Sequence, residues 1–217
     1  AYEMREHFIS IGNFLHAPNW DAVRFLKSEI WPLIRAKLPA AQLHVYGAYA
    51  DQKVNEMHDE KSGFLLKGRA EDALEVIGKS RVLLAPLRYG AGLKGKLLDA
   101  MLAGTPSVTT SIGAEAMHGD LPWGGIIENH PHKIADAAAS LYQNESGWQS
   151  AQVAGIQIVL KIFAKVEHEE KLLERLSELS LKLEQYRLHN FVGAMLSHQS
   201  MRSTEFMSRW IEEKSKK

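Results

Sequence analysis

"RVLLAPLRYGAGLKGKLLDAMLAGTPSV", residues 81–108, decides how the chain is read. Its apolar opening over 81–86 predicts a buried strand that Pro86 stops. A glycine-bearing loop follows, and the apolar period over 94–104 predicts a helix capped at its C-terminus by Gly104. "PSVTTS", 106–111, predicts a further strand. Strand, helix and strand in this order form one βαβ unit whose loop sits at a strand's carboxyl end.

The same alternation extends in both directions. "FISIG" (8–12), "AQLHVYG" (41–47), "GFLLKG" (63–68) and "GGIIEN" (124–129) predict strands. Residues 17–39 predict one helix with Asn19 as N-cap, and 69–80 and 131–144 predict two more. The expected fold class is α/β: a Rossmann-like parallel sheet with helices on both faces over residues 1–164, plus a C-terminal helical tail over 165–217. In such a sheet ligands bind beyond the carboxyl ends of the strands at the topological switch point. That directs attention to the loops at 12–19 and 87–95.

Gly90, Gly95 and Lys96 have the spacing of a P-loop, but Leu97 stands where a magnesium-binding Ser or Thr is required. No predicted strand ends in the aspartate such a site also needs. The loop nevertheless has the physics of an anion site. Gly90 and Gly92 allow close backbone approach and positive φ. The following helix directs its unpaired N–H groups and partial positive charge at the loop. Lys94 and Lys96 add formal charge where the helix dipole disfavours it, which suggests a negative ligand. Asp99 lies one turn after Lys96, placed either for a ribose diol or for an ordinary intrahelical pair with that lysine.

Composition narrows the classes. The chain has 217 residues, with 26 Lys plus Arg balanced by 26 Asp plus Glu, so no overall basic field favours nucleic acid. It has no cysteine, which excludes disulfides and thiolate metal sites and fits a cytoplasmic compartment. No apolar run approaches the ~20 residues needed to span a bilayer, which leaves peripheral membrane association open. No carboxylate pair or histidine cluster has metal-ligand spacing, so no metal is expected. His130 and His132 flank Pro131 at a helix start and are expected to cap it.

The 81–117 block, ending "TTSIGAEAM", resembles the donor-binding signature of GT-B glycosyltransferases of the family-4-like group. "DAMLAGTPSV" matches the motif with Asp99 in place of the usual Glu, and "FISIGNFLHAPNWDAVRFL" resembles the start of that family's C-terminal domain. The resemblance covers residues 8–160. It implies the C-terminal half of a GT-B fold, binding a nucleotide-diphosphate sugar as donor substrate with no separate cofactor. Lys94 and Lys96 would be catalytic, facing the diphosphate and stabilising charge on the departing phosphate. Asp99 would face the ribose. Gly90, Ala91, Gly92 and Leu93 would line sugar and phosphates, Gly12 and Asn13 would approach from the first loop, and Arg69 would lie near the nucleobase. Most such enzymes retain anomeric configuration, with the leaving phosphate assisting, and serve glycan biosynthesis.

Three departures stand out. Ala91 occupies the first position of a Glu, seven residues, Glu motif. The basic residue usual after the first strand is absent, with His16 nearest. The N-terminal acceptor domain has no room in this chain, so this fragment alone is expected to be inactive, partnered by that domain of the same protein. In the tail, Leu172, Leu176, Leu179, Leu183 and Tyr186 form an apolar stripe on one helix, and 191–196 and 203–211 carry apolar residues suited to docking on that domain or to capping this one. Two rivals remain: a non-catalytic interaction domain that keeps the fold, and another nucleotide-dependent α/β protein such as a dehydrogenase. The latter would need Gly-x-Gly-x-x-Gly after the first strand, which "SIGNFLHAPN" lacks.

Overall fold

The computed structural model describes residues 1–216, apart from the side chains of residues 167 and 199–201. Two compact units result, Ala1–Ala164 and Lys165–Lys217. The first holds a sheet of six strands: β1 (Glu6–Ile11), β2 (Leu43–Tyr46), β3 (Phe64–Gly68), β4 (Ser80–Ala85), β5 (Ser107–Thr109) and β6 (Gly125–Ile127). Their order is β3-β2-β1-β4-β5-β6, and every pairing is parallel. The chain winds outward from β1 to one edge, then returns to β4 and winds to the other. The switch point therefore lies between β1 and β4.

Around the sheet run α1 (Ala17–Phe25), α2 (Trp31–Lys37), α3 (Gln52–Asn55), α4 (Ala73–Lys79), α5 (Gly95–Leu102), α6 (Ser111–Ala114), α7 (Pro131–Gln143) and α8 (Glu145–Ile162). Successive strand residues point to opposite faces, so both faces need cover. Phe8, Leu43, Val82, Leu84 and Val108 pack with Trp31, Ile34 and Ile134 on one side. Ile9, Leu83 and Ala85 pack with Ile77, Leu97, Met101 and Ile158 on the other.

Three local expectations need correction. The helix over 17–39 is broken by a π turn at Leu26–Ile30, closed by Trp31 N–H on Leu26 O. Pro32 explains it: a proline inside a helix has no N–H to donate and crowds the carbonyl four residues back, so the backbone shifts register. The helix begins at Ala17 with His16 at the N-cap, so Asn19 lies inside the first turn. Helix α4 starts only at Ala73, because Asp72 accepts from Glu75 N–H and fixes the cap there.

Helix α8 follows α7 directly, joined at Asn144, whose side chain accepts from Gly147 N–H at 3.1 Å. No periodicity argument predicted it. It packs closely enough on the sheet that a Cβ built on Gly124 would stand 2.7 Å from Gly155 Cα. Gly104, at φ +66°, ends α5: its N–H reaches Met101 O and Thr105 N–H reaches Ala100 O.

The second unit is helical: α9 (Lys165–Leu181), α10 (Leu183–His189) and α11 (Phe191–Ser215). The stripe expected on one helix is split at Lys182, which leaves helical geometry, so Leu183 and Tyr186 belong to α10. Tyr186 donates to Glu178 Oε1 and receives Arg175 Nη1, both at 3.0 Å, which ties α10 to α9. Phe191, Leu196, Phe206 and Trp210 are each more than half exposed.

Candidate functional site

A cavity of about 180 Å³ opens at the carboxyl ends of β1 and β4, directly over the switch point. One wall is the start of α1, with His16, Pro18 and Asn19. The other is the glycine loop and the start of α5, from Leu87 and Tyr89 through Gly90, Ala91 and Leu93 to Lys94, Gly95 and Lys96. Gly90 at φ +140° and Gly92 at φ +73° take conformations open to glycine and disfavoured for other residues, which lets the loop fold back onto α1.

The loop is held at both ends, its α5 end by Lys94 N–H on Met117 Sδ at 3.3 Å. Thr109 Oγ1 donates to Ala85 O at 2.7 Å, and Thr110 Oγ1 donates to Leu87 O. Arg88 makes two hydrogen bonds to Asp21 on α1, with its Nε 2.8 Å from Oδ2, and lies over the Phe25 ring. These anchors place the amino end of α5 against the cavity. Lys94 holds the N-cap position and offers no side-chain acceptor, and the first turn of α5 carries no acidic residue. The partial positive charge there is therefore uncompensated by the protein.

The two lysines differ. Lys96 Nζ donates to Asn19 Oδ1 at 2.7 Å, and burial pushes the ammonium down to about 8. Lys94 lines the cavity but only 8% of its surface is exposed, and its Nζ has no hydrogen-bond partner among the described residues. The nearest carboxylate is Glu115, 3.9 Å away. A buried ammonium with no hydrogen bond and only this long contact to an exposed carboxylate is costly, and an anion at this spot would relieve it. Lys96 and Asp99 form no ion pair among the described residues, which removes the intrahelical-pair reading. Burial raises the Asp99 carboxyl instead.

The other expected residues are placed unevenly. Gly12 abuts the lysine: a Cβ there would stand 2.7 Å from Lys96 Nζ and from Asn19 Cγ. Asn13 turns its side chain to the loop's own backbone, accepting from Leu15 N–H at 2.8 Å. Gly92 and Asp99 adjoin the cavity in sequence but do not line it. Arg69 is exposed after β3 and does not line it. His130 sits at the N-cap of α7 without a side-chain capping bond, contrary to expectation. The residues that sequence reasoning missed are Asn19 as acceptor for Lys96 and Asp21 as partner of Arg88. Their position just beyond the carboxyl end of β1 was the available signal.

Residues 5–144 match the family model described as Glycosyl transferases group 1. The chain belongs to that family. Its fold is that of solved GT-B glycosyltransferases. A S. aureus TarM mutant in complex with fondaparinux, alpha-GlcNAc-glycerol and UDP superposes with a TM-score of 0.64 at 20% identity, covering 78% of this chain and 35% of that one. The pneumococcal O-GlcNAc transferase GtfA, in complex with UDP and GlcNAc, gives 0.65 at 18% identity over 82% and 37%. A glycosyltransferase from Rickettsia africae gives 0.65 at 14% identity over 80% and 48%. This group 1 chain thus spans between a third and a half of the length of those proteins. No curated protein sequence matches it significantly. Among the described residues no helix is long and apolar enough to cross a membrane.

Proposed function

We propose that this group 1 chain forms the donor half of a GT-B glycosyltransferase, binding a nucleotide-diphosphate sugar over the β1–β4 switch point. The observation that carries the reading is the convergence, on one cavity, of Lys94, Lys96, the positive-φ Gly90 and the amino end of α5. Glycosyl transfer needs positive charge where the diphosphate leaves, because the sugar carbon becomes cationic as the phosphate oxygen becomes anionic. Lys96 and the helix terminus would supply that stabilisation in a partly enclosed site, where it is worth more than in water. Lys94 would join them once an anion neutralises it. The sugar would be a hexose transferred with retention, the departing phosphate itself assisting, with no metal required. Asp99 would meet the ribose. The acceptor, a glycan precursor, would be bound by a second domain, consistent with the fraction of its relatives that this chain spans, and the chain alone would not turn over.

Calorimetric titration of UDP and GDP into the chain tests the reading. Binding of one of them in the micromolar range, weakened about tenfold or more by Lys96→Ala, is the expected result, since a charge-assisted hydrogen bond contributes roughly 1.5–3 kcal/mol. No binding below millimolar concentration, or indifference to the substitution, would overturn it. One observation favours a binding module without turnover: Ala91 lines the cavity where the family's pattern has a carboxylate able to grip sugar hydroxyls. On that second reading the diphosphate binds but the intact parent protein transfers no sugar.

A further inference from the structure

We propose that Asn19 is a positioning residue for Lys96, so that recognition of the donor's diphosphate depends on an amide that need not touch the donor. The inference rests on the donor-site reading above. Asn19 sits in the first turn of α1, where no capping role engages its side chain. Its Oδ1 accepts from Lys96 Nζ at 2.7 Å, and its Nδ2 donates to Asn13 O at 2.9 Å. One amide thus spans from the β1–α1 loop to the first turn of α5. Gly12 makes room for this bridge, since a Cβ there would strike both partners.

The geometry matters because a lysine ammonium ends a flexible four-carbon stem and has no orientation of its own. No other hydrogen-bond acceptor holds Lys96 Nζ among the described residues. A neutral amide keeps it in place without cancelling its charge, which a carboxylate at the same position would do. The charged or titratable groups around this point are Lys94 at the N-cap of α5, Tyr89 in the glycine loop, His16 before α1, and Glu115 beside Lys94, with Asp99 one turn farther along α5.

Asn19→Ala and the near-isosteric Asn19→Asp test this with UDP, with uridine as a probe lacking phosphates, and with the Lys96 ammonium followed by NMR titration. Asn19→Ala is expected to weaken UDP about tenfold and leave uridine unchanged, because only the charged contact is lost. Asn19→Asp is expected to weaken UDP at least as much, through a paired lysine and a repelling carboxylate, and to raise the Lys96 titration midpoint by about one unit or more. UDP affinity within twofold of wild type in both variants would overturn the proposal. So would equal losses for UDP and uridine, which would mean a generally disordered loop. If the unaltered chain binds no UDP, the donor-site reading fails. The Lys96 midpoint in Asn19→Asp then still decides whether Asn19 holds the lysine, and an unmoved midpoint would sink that claim alone.

Discussion

Arg88, in the loop after β4, grips Asp21, in the first helix after β1, through two hydrogen bonds that tie together the two segments whose neighbouring residues line the candidate site. Asp21 is the more sheltered partner, with 14% of its side chain exposed against 46% for Arg88. The hydrogen bonds and charge of Arg88 hold the Asp21 carboxyl below the ordinary carboxylate range. A depressed carboxyl stabilises the fold above its unfolded-state value and loses that contribution as the pH falls through its folded-state value. Arg88→Ala should therefore cost about 1 kcal/mol at pH 7, and the difference from wild type should shrink as acid protonates Asp21. Denaturant melts at pH 7 and pH 3 check this.

Lys96 gives the site its own pH dependence. Burial holds its ammonium at about 8, against the usual 10.5, so the charged form is lost between pH 7 and 9.5. Diphosphate affinity should fall across that interval, the phosphate itself being already ionised. Lys96→Arg should flatten the fall, because a guanidinium stays charged throughout. In the free chain the sign is reversed: the cost of burying the charge is full below about 8 and is relieved as the pH rises beyond it. Calorimetry at pH 7, 8 and 9.5 reads the first effect and thermal melting the second.

Gly12 should not accept a side chain. A methyl group at that position meets Lys96 Nζ and two atoms of Asn19, each at 2.7 Å. Gly12→Ala should separate the pair and weaken UDP, with a stability cost of about 1–2 kcal/mol because the lysine end can move. A variant that binds UDP as wild type does would show that the lysine is not held where the structure has it.

Two glycines where β6 meets α8 should differ. Gly124→Ala drives a Cβ to 2.7 Å from the backbone of Gly155, which cannot yield without moving α8. Gly155→Ala meets chiefly Met101 Cγ at 3.3 Å, a flexible neighbour, and gains helix propensity. Gly124→Ala should cost about 2–3 kcal/mol, and Gly155→Ala should stay within about 1 kcal/mol of wild type. Urea denaturation of the two variants separates them.

What could be read in advance follows the range of the forces involved. Strands β1 to β6 were legible because a buried parallel sheet demands short, nearly continuous apolar runs bounded by Gly and Pro. Helix α8 was not, because Gly147, Gly155 and its polar residues lower local propensity, while its stability comes from packing on β6 and α5. Pro32 was visible, but whether it ends, kinks or re-registers a helix depends on Trp31 and Ile34 being anchored in the core. Asn19 has the chemistry of an N-cap, and only the proximity of Lys96, 77 positions away, gives it another partner. The glycine loop was read from local rules because positive φ and helix polarity are local. The loop's attachment to α1 through Asp21 is not. The apolar stripe of the tail was visible as a period, but its division at Lys182 is a matter of backbone geometry that periodicity does not record.

A crystal structure of the chain soaked with UDP tests the central claim most directly. The account predicts the diphosphate over the β1–β4 switch point, with an oxygen within hydrogen-bonding distance of Lys96 Nζ and others on the backbone N–H groups between Gly90 and Gly95. Diphosphate density elsewhere on the chain, with Lys96 still held only by Asn19, would contradict it.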